Sequence, residues 1–219
     1  MAREQLVQKM RDEKIIAIVR GVAARDMLAV AEALLAGGIS LLEITFDQKS
    51  AEGLAETLRS LTVLKEKMDG RISLGAGTVM TVGQVEDARR CGVEYIISPN
   101  VDNAVIARTR ELDMVSIPGA LTPSEIAAAH NVGADIVKLF PAGLWGAGYI
   151  KAVRGPLAHI PLAAVGGVEP GNVGEFFRAG VCCVGVGGNL VSVKEVAAGN
   201  FQALTAVAAA FREELNHIS

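Results

Sequence analysis

Apolar residues in this chain occur in short continuous runs, and longer amphipathic segments separate one run from the next. Short apolar runs bounded by glycine, proline or charge are typical of strands that are buried on both faces of a parallel sheet. Eight such strands are predicted, at residues 15–20, 40–46, 72–79, 95–100, 114–120, 135–142, 161–168 and 182–190. The amphipathic segments between them predict helices on the faces of that sheet.

Helix start and stop signals support these assignments. The predicted helices cover residues 2–14, 25–36, 50–67, 81–91, 102–112, a segment opened by the cap Thr122, a short stretch near 148–153, 170–179 and 201–215. Eight strand–helix units without a linker predict an α/β fold, a closed (β/α)8 TIM barrel preceded by a lead-in helix. A doubly wound open sheet is the alternative, but it needs fewer units and one glycine-rich phosphate loop. We expect residues 1–219 to form a single domain.

Composition narrows the possible partners and the compartment. The chain has 219 residues, a formal charge of −3 and no basic block, so nucleic acid is not an expected partner. No apolar run is long enough to span a bilayer, and the charged N-terminal segment does not resemble a signal peptide. We therefore expect a cytoplasmic protein, in which Cys91, Cys182 and Cys183 are buried thiols. Trp145 and Met114 are expected to be core or lining residues. Three scattered histidines predict no metal site.

Lys138 is the most unusual residue of the predicted strands. It lies in the run DIVKLFPA at residues 135–142, with apolar residues on both sides. Burial lowers the pKa of a lysine, and the neutral amine can then attack a carbonyl to form a Schiff base. The alternative is a lysine whose ammonium reaches water or a carboxylate at the end of an extended stem.

Glu43 is a second ionisable residue inside a predicted strand, next to Leu42 and Ile44. A carboxyl group buried in this way has a raised pKa and can transfer protons near neutral pH. The alternative is a salt bridge with Arg20 or Lys138 that only balances charge, although such a pair does not exclude catalysis.

Other polar residues lie where predicted strands end, which is where barrels of this kind place their active sites. Arg20 ends the first strand and offers a planar fork for a carboxylate, and Thr78 near the end of the third can hydrogen-bond a carboxylate or carbonyl. Pro99 ends the fourth strand, and Phe140 follows the lysine. The pairs Gly166-Gly167 and Gly187-Gly188 end strands seven and eight, where backbone amides frequently bind phosphate.

These motifs resemble the class I KDPG/KHG aldolases over nearly the whole chain. The resemblance rests on segments at 37–45, 75–79, 97–100, 138–142, 166–168 and 185–191, of which GAGTV and KLFPA are the most specific. It implies a barrel, usually a homotrimer, that needs no metal or organic cofactor. It also implies that Lys138 forms the Schiff base, Glu43 is the general acid/base, Thr78 contacts pyruvate, and Gly166, Gly167 and Gly187 bind phosphate.

The implied reaction is reversible cleavage of 2-keto-3-deoxy-6-phosphogluconate, or of 4-hydroxy-2-oxoglutarate, to pyruvate and an aldehyde. Three positions depart from the family pattern. Asp47 stands where some members have arginine, so we expect Arg20 to bind the carboxylate; Val165 is typical of galactonate-type enzymes; and Gly188 replaces a frequent serine of the phosphate site. The alternatives are a 2-dehydro-3-deoxy-6-phosphogalactonate aldolase, a phosphosugar epimerase or isomerase, and a barrel that binds sugar phosphates without catalysis.

Overall fold

A computed structural model describes residues 2–218; Met1 and Ser219, the ends of the predicted domain, lie outside the described residues. Its parallel strands are Ile15–Val19 (β1), Leu41–Thr45 (β2), Ser73–Gly77 (β3), Tyr95–Ile97 (β4), Val115–Ile117 (β5), Gly119–Ala120 (β6), Val137–Leu139 (β7), Leu162–Val165 (β8) and Cys183–Val186 (β9). Their order is β5-β4-β3-β2-β1-β9-β8-β7-β6, so the two ends of the sheet are consecutive in the chain. This arrangement confirms the predicted (β/α)8 barrel and its lead-in helix.

The strand count is nine because the fifth predicted strand, at 114–120, is divided at Pro118. Proline has no N–H to donate to a neighbouring strand, so the ladder is interrupted there. The Pro118 carbonyl still accepts a hydrogen bond from Lys138 N at 2.9 Å. β5 pairs with β4 and β6 pairs with β7, and this one interrupted strand therefore closes the ring beside the lysine.

The helices surround the barrel and follow the predicted segments in most places. They are Arg3–Glu13 (α1), Ala24–Ala36 (α2), Ala51–Met68 (α3), Val82–Arg90 (α4), Asn103–Glu111 (α5), Pro123–Val132 (α6), Ala142–Arg154 (α7), Pro170–Arg178 (α8), Val193–Ala197 (α9) and Phe201–Asn216 (α10). Two differ from the prediction: α7 is longer and bends at Gly146, whose φ is +72°, and α9 was not predicted. Of the helices within residues 2–218, none is both long enough and apolar enough to cross a membrane.

Two separate hydrophobic clusters stabilise the fold. The larger one fills the layer between the strands and the surrounding helices. The smaller one fills the interior of the barrel with alternate strand residues, such as Ile16, Leu41 and Tyr95, and Leu6 and Met10 of α1 cover its lower end. Alternation along each strand sends one residue outward and the next inward. Because the interior is filled from below, the charged inward side chains of Glu43 and Lys138 lie above this cluster, toward the carboxyl ends of the strands.

Some residues expected inside the protein lie closer to its surface. Met114 is fully buried, but Trp145 is 54% exposed, so its prediction as a core or lining residue is wrong. Trp145 lies in the first turns of α7, next to the exposed Leu144. Cys183 is buried, whereas Cys91 and Cys182 are only partly buried, and all three are free thiols.

Candidate active site

A cavity of about 510 Å³ opens at the carboxyl ends of the strands. All ten residues predicted for the site line it: Arg20, Glu43, Thr78, Pro99, Lys138, Phe140, Gly166, Gly167, Gly187 and Gly188. The barrel brings them together because the carboxyl ends of all its strands meet at one face. Their individual roles remain predictions, but their position in one cavity is a finding.

Lys138 lies in the middle of β7 and points into the barrel. Its side chain is 7% exposed, and its Nζ lies 5.0 Å from the centre of the Phe140 ring. Burial lowers the pKa of Lys138, the charge of Glu43 opposes that shift, and the charge of Arg20 adds to it. Since burial is the largest of these effects, a neutral amine is accessible at lower pH than for a lysine in water.

Glu43 lies in β2 and is 1% exposed. Its Oε2 has no hydrogen-bond partner among the described residues. Burial raises the pKa of Glu43, while the charges of Lys138 and Arg20 lower it by smaller amounts. The carboxyl group is thus not held as one half of a direct salt bridge, which was the structural alternative. A buried carboxyl with an unoccupied oxygen and a raised pKa can accept and donate protons near neutral pH.

Two glycines of β3 make room for the side chains that face them inside the barrel. A Cβ added at Gly77 would lie 1.6 Å from Glu43 Oε1. A Cβ added at Gly75 would lie 2.1 Å from the ring of Tyr95. The GAG sequence of this strand is therefore required by close side-chain approach, and Gly77 in particular allows the carboxyl of Glu43 its place.

Arg20 and Thr78 form a polar pair at the mouth of the cavity. Arg20 Nη2 donates a hydrogen bond to Thr78 Oγ1 at 2.9 Å, so the threonine hydroxyl keeps its own proton to donate. Asp47, which stands where some family members have arginine, instead accepts a hydrogen bond from Lys49 N and lies against α3 beside Gly53. The cationic and hydroxyl groups that can bind a carboxylate at this end are thus those of Arg20 and Thr78.

The opposite end of the cavity is built from main chain. Gly166 and Gly167 have φ values of +91° and +73°, a left-handed conformation that strongly favours glycine. Gly187 and Gly188 lie at the end of the neighbouring β9 and have no such conformation, so their contribution is the absence of a side chain. Helix α8 begins just beyond the first pair, which directs N–H groups and a partial positive charge to this region.

Sequence reasoning did not select every residue that lines the cavity. Asn189 lies in its wall and donates from Nδ2 to Val168 O at 3.1 Å. Ile18 and Val165 form apolar wall, and Val165 was noted only as a variant of a motif. Asn189 could have been selected because it is a polar residue that directly follows Gly187-Gly188 at a strand end.

The sequence of this chain is similar to those of described aldolases. A family model described as KDPG and KHG aldolase matches residues 6–207. The 2-dehydro-3-deoxy-6-phosphogalactonate aldolase of Escherichia coli (strain K12) is 32% identical over 200 residues, which are 91% of this chain and 95% of the relative. The 2-dehydro-3-deoxy-phosphogluconate aldolase of Treponema pallidum (strain Nichols) is 31% identical over 196 residues, which are 89% of this chain and 90% of the relative.

A solved structure adds chemical information about a similar protein. It is a KDPG aldolase from Legionella pneumophila, described with pyruvate captured at low pH as a covalent carbinolamine intermediate. The two chains superpose with a TM-score of 0.81 and are 28% identical, and the match covers 90% of this chain and 93% of the other.

Proposed function

The chain belongs to the KDPG and KHG aldolase family, and on that premise we propose that it is a class I aldolase acting through Lys138. The observation that carries this proposal is the placement of a buried lysine and a buried glutamate in one cavity, with both pKa values shifted toward the neutral forms. Neutral amine and protonated carboxyl are the forms in which a Schiff base begins to form.

The first half of the reaction builds the electron sink. Neutral Lys138 Nζ attacks the C2 ketone of the substrate and forms a carbinolamine. Protonated Glu43, directly or through a water molecule, donates its proton to the departing hydroxyl, so that water leaves and an iminium remains. Glu43 is then a carboxylate, in the form needed to accept a proton.

The second half breaks the carbon–carbon bond. Glu43 accepts the proton of the C4 hydroxyl, the C3–C4 bond breaks, and its electron pair moves to the iminium nitrogen to give an enamine. The aldehyde leaves, Glu43 returns the proton to C3, and water hydrolyses the resulting iminium to release pyruvate and Lys138. Each transfer uses a group already in the cavity, and the atoms of the substrate are divided between pyruvate and the aldehyde.

The two ends of the cavity suit the two ends of a phosphorylated keto acid. The Arg20–Thr78 pair binds the carboxylate, with Pro99 and Phe140 against the apolar part of the pyruvate unit. The main chain at Gly166, Gly167, Gly187 and Gly188 binds the phosphate through N–H groups. The substrate is 2-keto-3-deoxy-6-phosphogluconate, which gives glyceraldehyde 3-phosphate, or the shorter 4-hydroxy-2-oxoglutarate, which gives glyoxylate.

A second candidate substrate is the C4 epimer, 2-dehydro-3-deoxy-6-phosphogalactonate. Val165 lines the cavity and favours it, because a galactonate-type pattern has valine at this position. A relative named for that substrate also matches 91% of this chain. Measuring pyruvate release from both epimers side by side distinguishes the two, because the preferred epimer should have the larger kcat/KM.

We also propose a cytoplasmic homotrimer. Leu144 and Trp145 at the start of α7 are 84% and 54% exposed, and large exposed apolar side chains of this kind favour burial against another subunit. Sedimentation equilibrium should give three times the mass of the chain, whereas the mass of a monomer at micromolar concentration would contradict the trimer.

Borohydride trapping tests the aldolase proposal directly. Reduction in the presence of pyruvate should attach the three-carbon unit to Lys138 of the parent protein, as peptide mass spectrometry would show. The Lys138→Arg variant should lose both the label and pyruvate release, while Lys151→Arg, a matched change on α7, should retain both. Equal labelling of the Lys138→Arg variant would show that the reactive amine has been assigned to the wrong residue.

A further inference from the structure

Thr78 has a backbone conformation that is rare for its residue type. Its φ is +56°, in the left-handed region, where a β-branched residue is strained. The strain has to be held by the surroundings, because nothing local to threonine favours it. Thr78 is also the residue whose hydroxyl meets Arg20 and faces the cavity.

Two glutamine side chains hold the main chain on either side of this strained residue. Gln48 Nε2 donates to the carbonyl of Thr78 at 2.6 Å. The amide of Met80 donates to Gln84 Oε1 at 2.8 Å, and Gln84 Nε2 donates to Gln48 Oε1 at 2.9 Å. The two side chains thus connect the Thr78 carbonyl to the Met80 N–H across the turn that follows β3.

The direction of this chain of hydrogen bonds is fixed at both ends by backbone groups. The Thr78 carbonyl can only accept a hydrogen bond, so the side-chain amide of Gln48 must direct its NH2 group to that carbonyl and its oxygen to Gln84. The Met80 N–H can only donate, so Gln84 must present its oxygen there and its amino group to Gln48. A carboxylate at either position cannot complete the chain, because it has no hydrogen to donate.

We propose that Gln48 and Gln84 are positioning residues that hold Thr78 in the conformation that binds the substrate carboxylate. This inference rests on the proposed function. Gln48 occupies the position after Asp47, whose carboxylate lies beside Gly53 of α3. In this chain the loop after β2 therefore acts on the carboxylate end of the cavity through the main chain of Thr78, whereas the direct cationic contact comes from Arg20.

A purely structural role for Gln84 has to be separated from this one. Thr81 caps α4 by accepting from Gln84 N at 3.2 Å, and the side chain of Gln84 turns back toward the start of the same helix. Gln84→Glu keeps the acceptor for Met80 N–H and places a negative charge near a helix N-terminus, which preserves capping. It removes the donor to Gln48, so it breaks the link between the glutamines and leaves the helix intact.

The experiment measures the pyruvate concentration that gives half-maximal borohydride labelling of Lys138. We expect Gln48→Glu and Gln84→Glu each to raise this half-maximal concentration about tenfold, because each variant loses one hydrogen bond that holds Thr78 in place. The double variant should resemble the single variants, because one connected chain is broken in each case. Gln202→Glu on α10 makes the same charge change on an exposed surface and should leave the half-maximal concentration unchanged.

Thermal unfolding of each variant accompanies the labelling, and Gln48→Met serves if Gln48→Glu does not fold. Half-maximal concentrations within twofold of the parent for folded Gln48 and Gln84 variants would overturn the positioning role alone, since the parent would still be labelled at Lys138. A parent protein without label at Lys138 would overturn the proposed function and the positioning role with it. A third outcome is a half-maximal pyruvate concentration that rises only in step with a lower unfolding temperature, together with an equal loss of Lys138 reactivity toward reagents other than pyruvate. That outcome would show a structural role and also overturn the proposal.

Discussion

Lys138 and Glu43 are both buried, and burial disfavours the charged form of each side chain. Glu43 has a raised pKa, so the folded chain binds more protons there than the unfolded chain, and its contribution to stability falls as pH rises above the unfolded value of about 4.3. Lys138 has a lowered pKa, so the folded chain binds fewer protons, and its contribution rises only as pH approaches about 10.4. Both residues therefore weaken the fold most at intermediate pH.

Replacing both buried ionisable groups should stabilise the protein at neutral pH. We expect the double variant Glu43→Gln with Lys138→Met to gain about 1–3 kcal/mol in the free energy of unfolding at pH 7, since burial penalises the charged form of each group and the variant removes that penalty. Urea denaturation at pH 4, 7 and 10 measures this gain, which should be largest at pH 7. A double variant less stable than the parent at pH 7 would show that the pair stabilises the fold.

Glu43→Gln alone should separate proton transfer from binding. The amide keeps the size of the side chain but cannot carry a proton between steps, so kcat should fall by a factor of about 10²–10⁴. Loss of the negative charge also removes the effect that raises the pKa of Lys138, so the acid limb of the pH profile should move to lower pH. Steady-state pyruvate release across pH measures both effects, and Asp47→Asn provides a carboxylate-to-amide control outside the cavity.

At the scale of the element, β3 is shaped by what faces it. Gly77→Ala would place a Cβ 1.6 Å from Glu43 Oε1, so the carboxyl group must move, and we expect kcat/KM to fall at least about a hundredfold. Gly75→Ala meets the ring of Tyr95 instead and should cost about 1–3 kcal/mol of stability by overpacking.

The matched pair of variants is compared by activity and by urea denaturation. Adding Tyr95→Leu should restore stability to Gly75→Ala, because it removes the ring that the new methyl group meets. Full activity in the Gly77→Ala variant would contradict the assigned position of Glu43.

Sequence patterns predicted elements well where one physical signal dominated. Apolar runs identified the strands because both faces of a parallel barrel are covered, and the segment around Lys138 was found in this way. The division at Pro118 was missed because the run 114–120 remains apolar throughout, and only the missing N–H interrupts its pairing. The extent of α7 was missed because Gly143, Gly146 and Gly148 argue against a helix that the barrel nonetheless stabilises.

The site could be predicted only where a single residue is unusual for its place in the sequence. A lysine and a glutamate inside apolar strands stand out, and both lie in the cavity. Gln48 and Gln84 do not stand out, because glutamines on exposed segments are ordinary. Their contact depends on the loop after β2 meeting the first turn of α4 above β3, and sequence separation gives no measure of that distance.

For the molecule as a whole, the two ends of the barrel carry different tasks. The cavity proposed as the active site opens at the carboxyl ends of the strands, whereas α1 covers the opposite end with Leu6 and Met10. We expect Met10→Ala to cost about 2–5 kcal/mol of stability, because it opens a cavity in a fully buried cluster. Its kcat at 25 °C should match that of the parent, as urea denaturation and pyruvate release from the same preparation would show. A large fall in kcat without loss of stability would contradict this separation of the two ends.

The position of Trp145 at the start of α7 gives the protein an intrinsic fluorescence signal. It is the chain's single tryptophan, it lies in the first turns of α7 seven residues beyond Lys138, and its ring centre lies 5.6 Å from that of Tyr149. Gly143, at the start of α7, packs against the cavity-lining Gly166-Gly167 pair, so a ligand in the cavity should change the surroundings of the indole ring and the wavelength or intensity of its emission. A titration with pyruvate, followed by fluorescence alone, would then report binding without any attached dye, and Trp145→Phe would provide the dark reference.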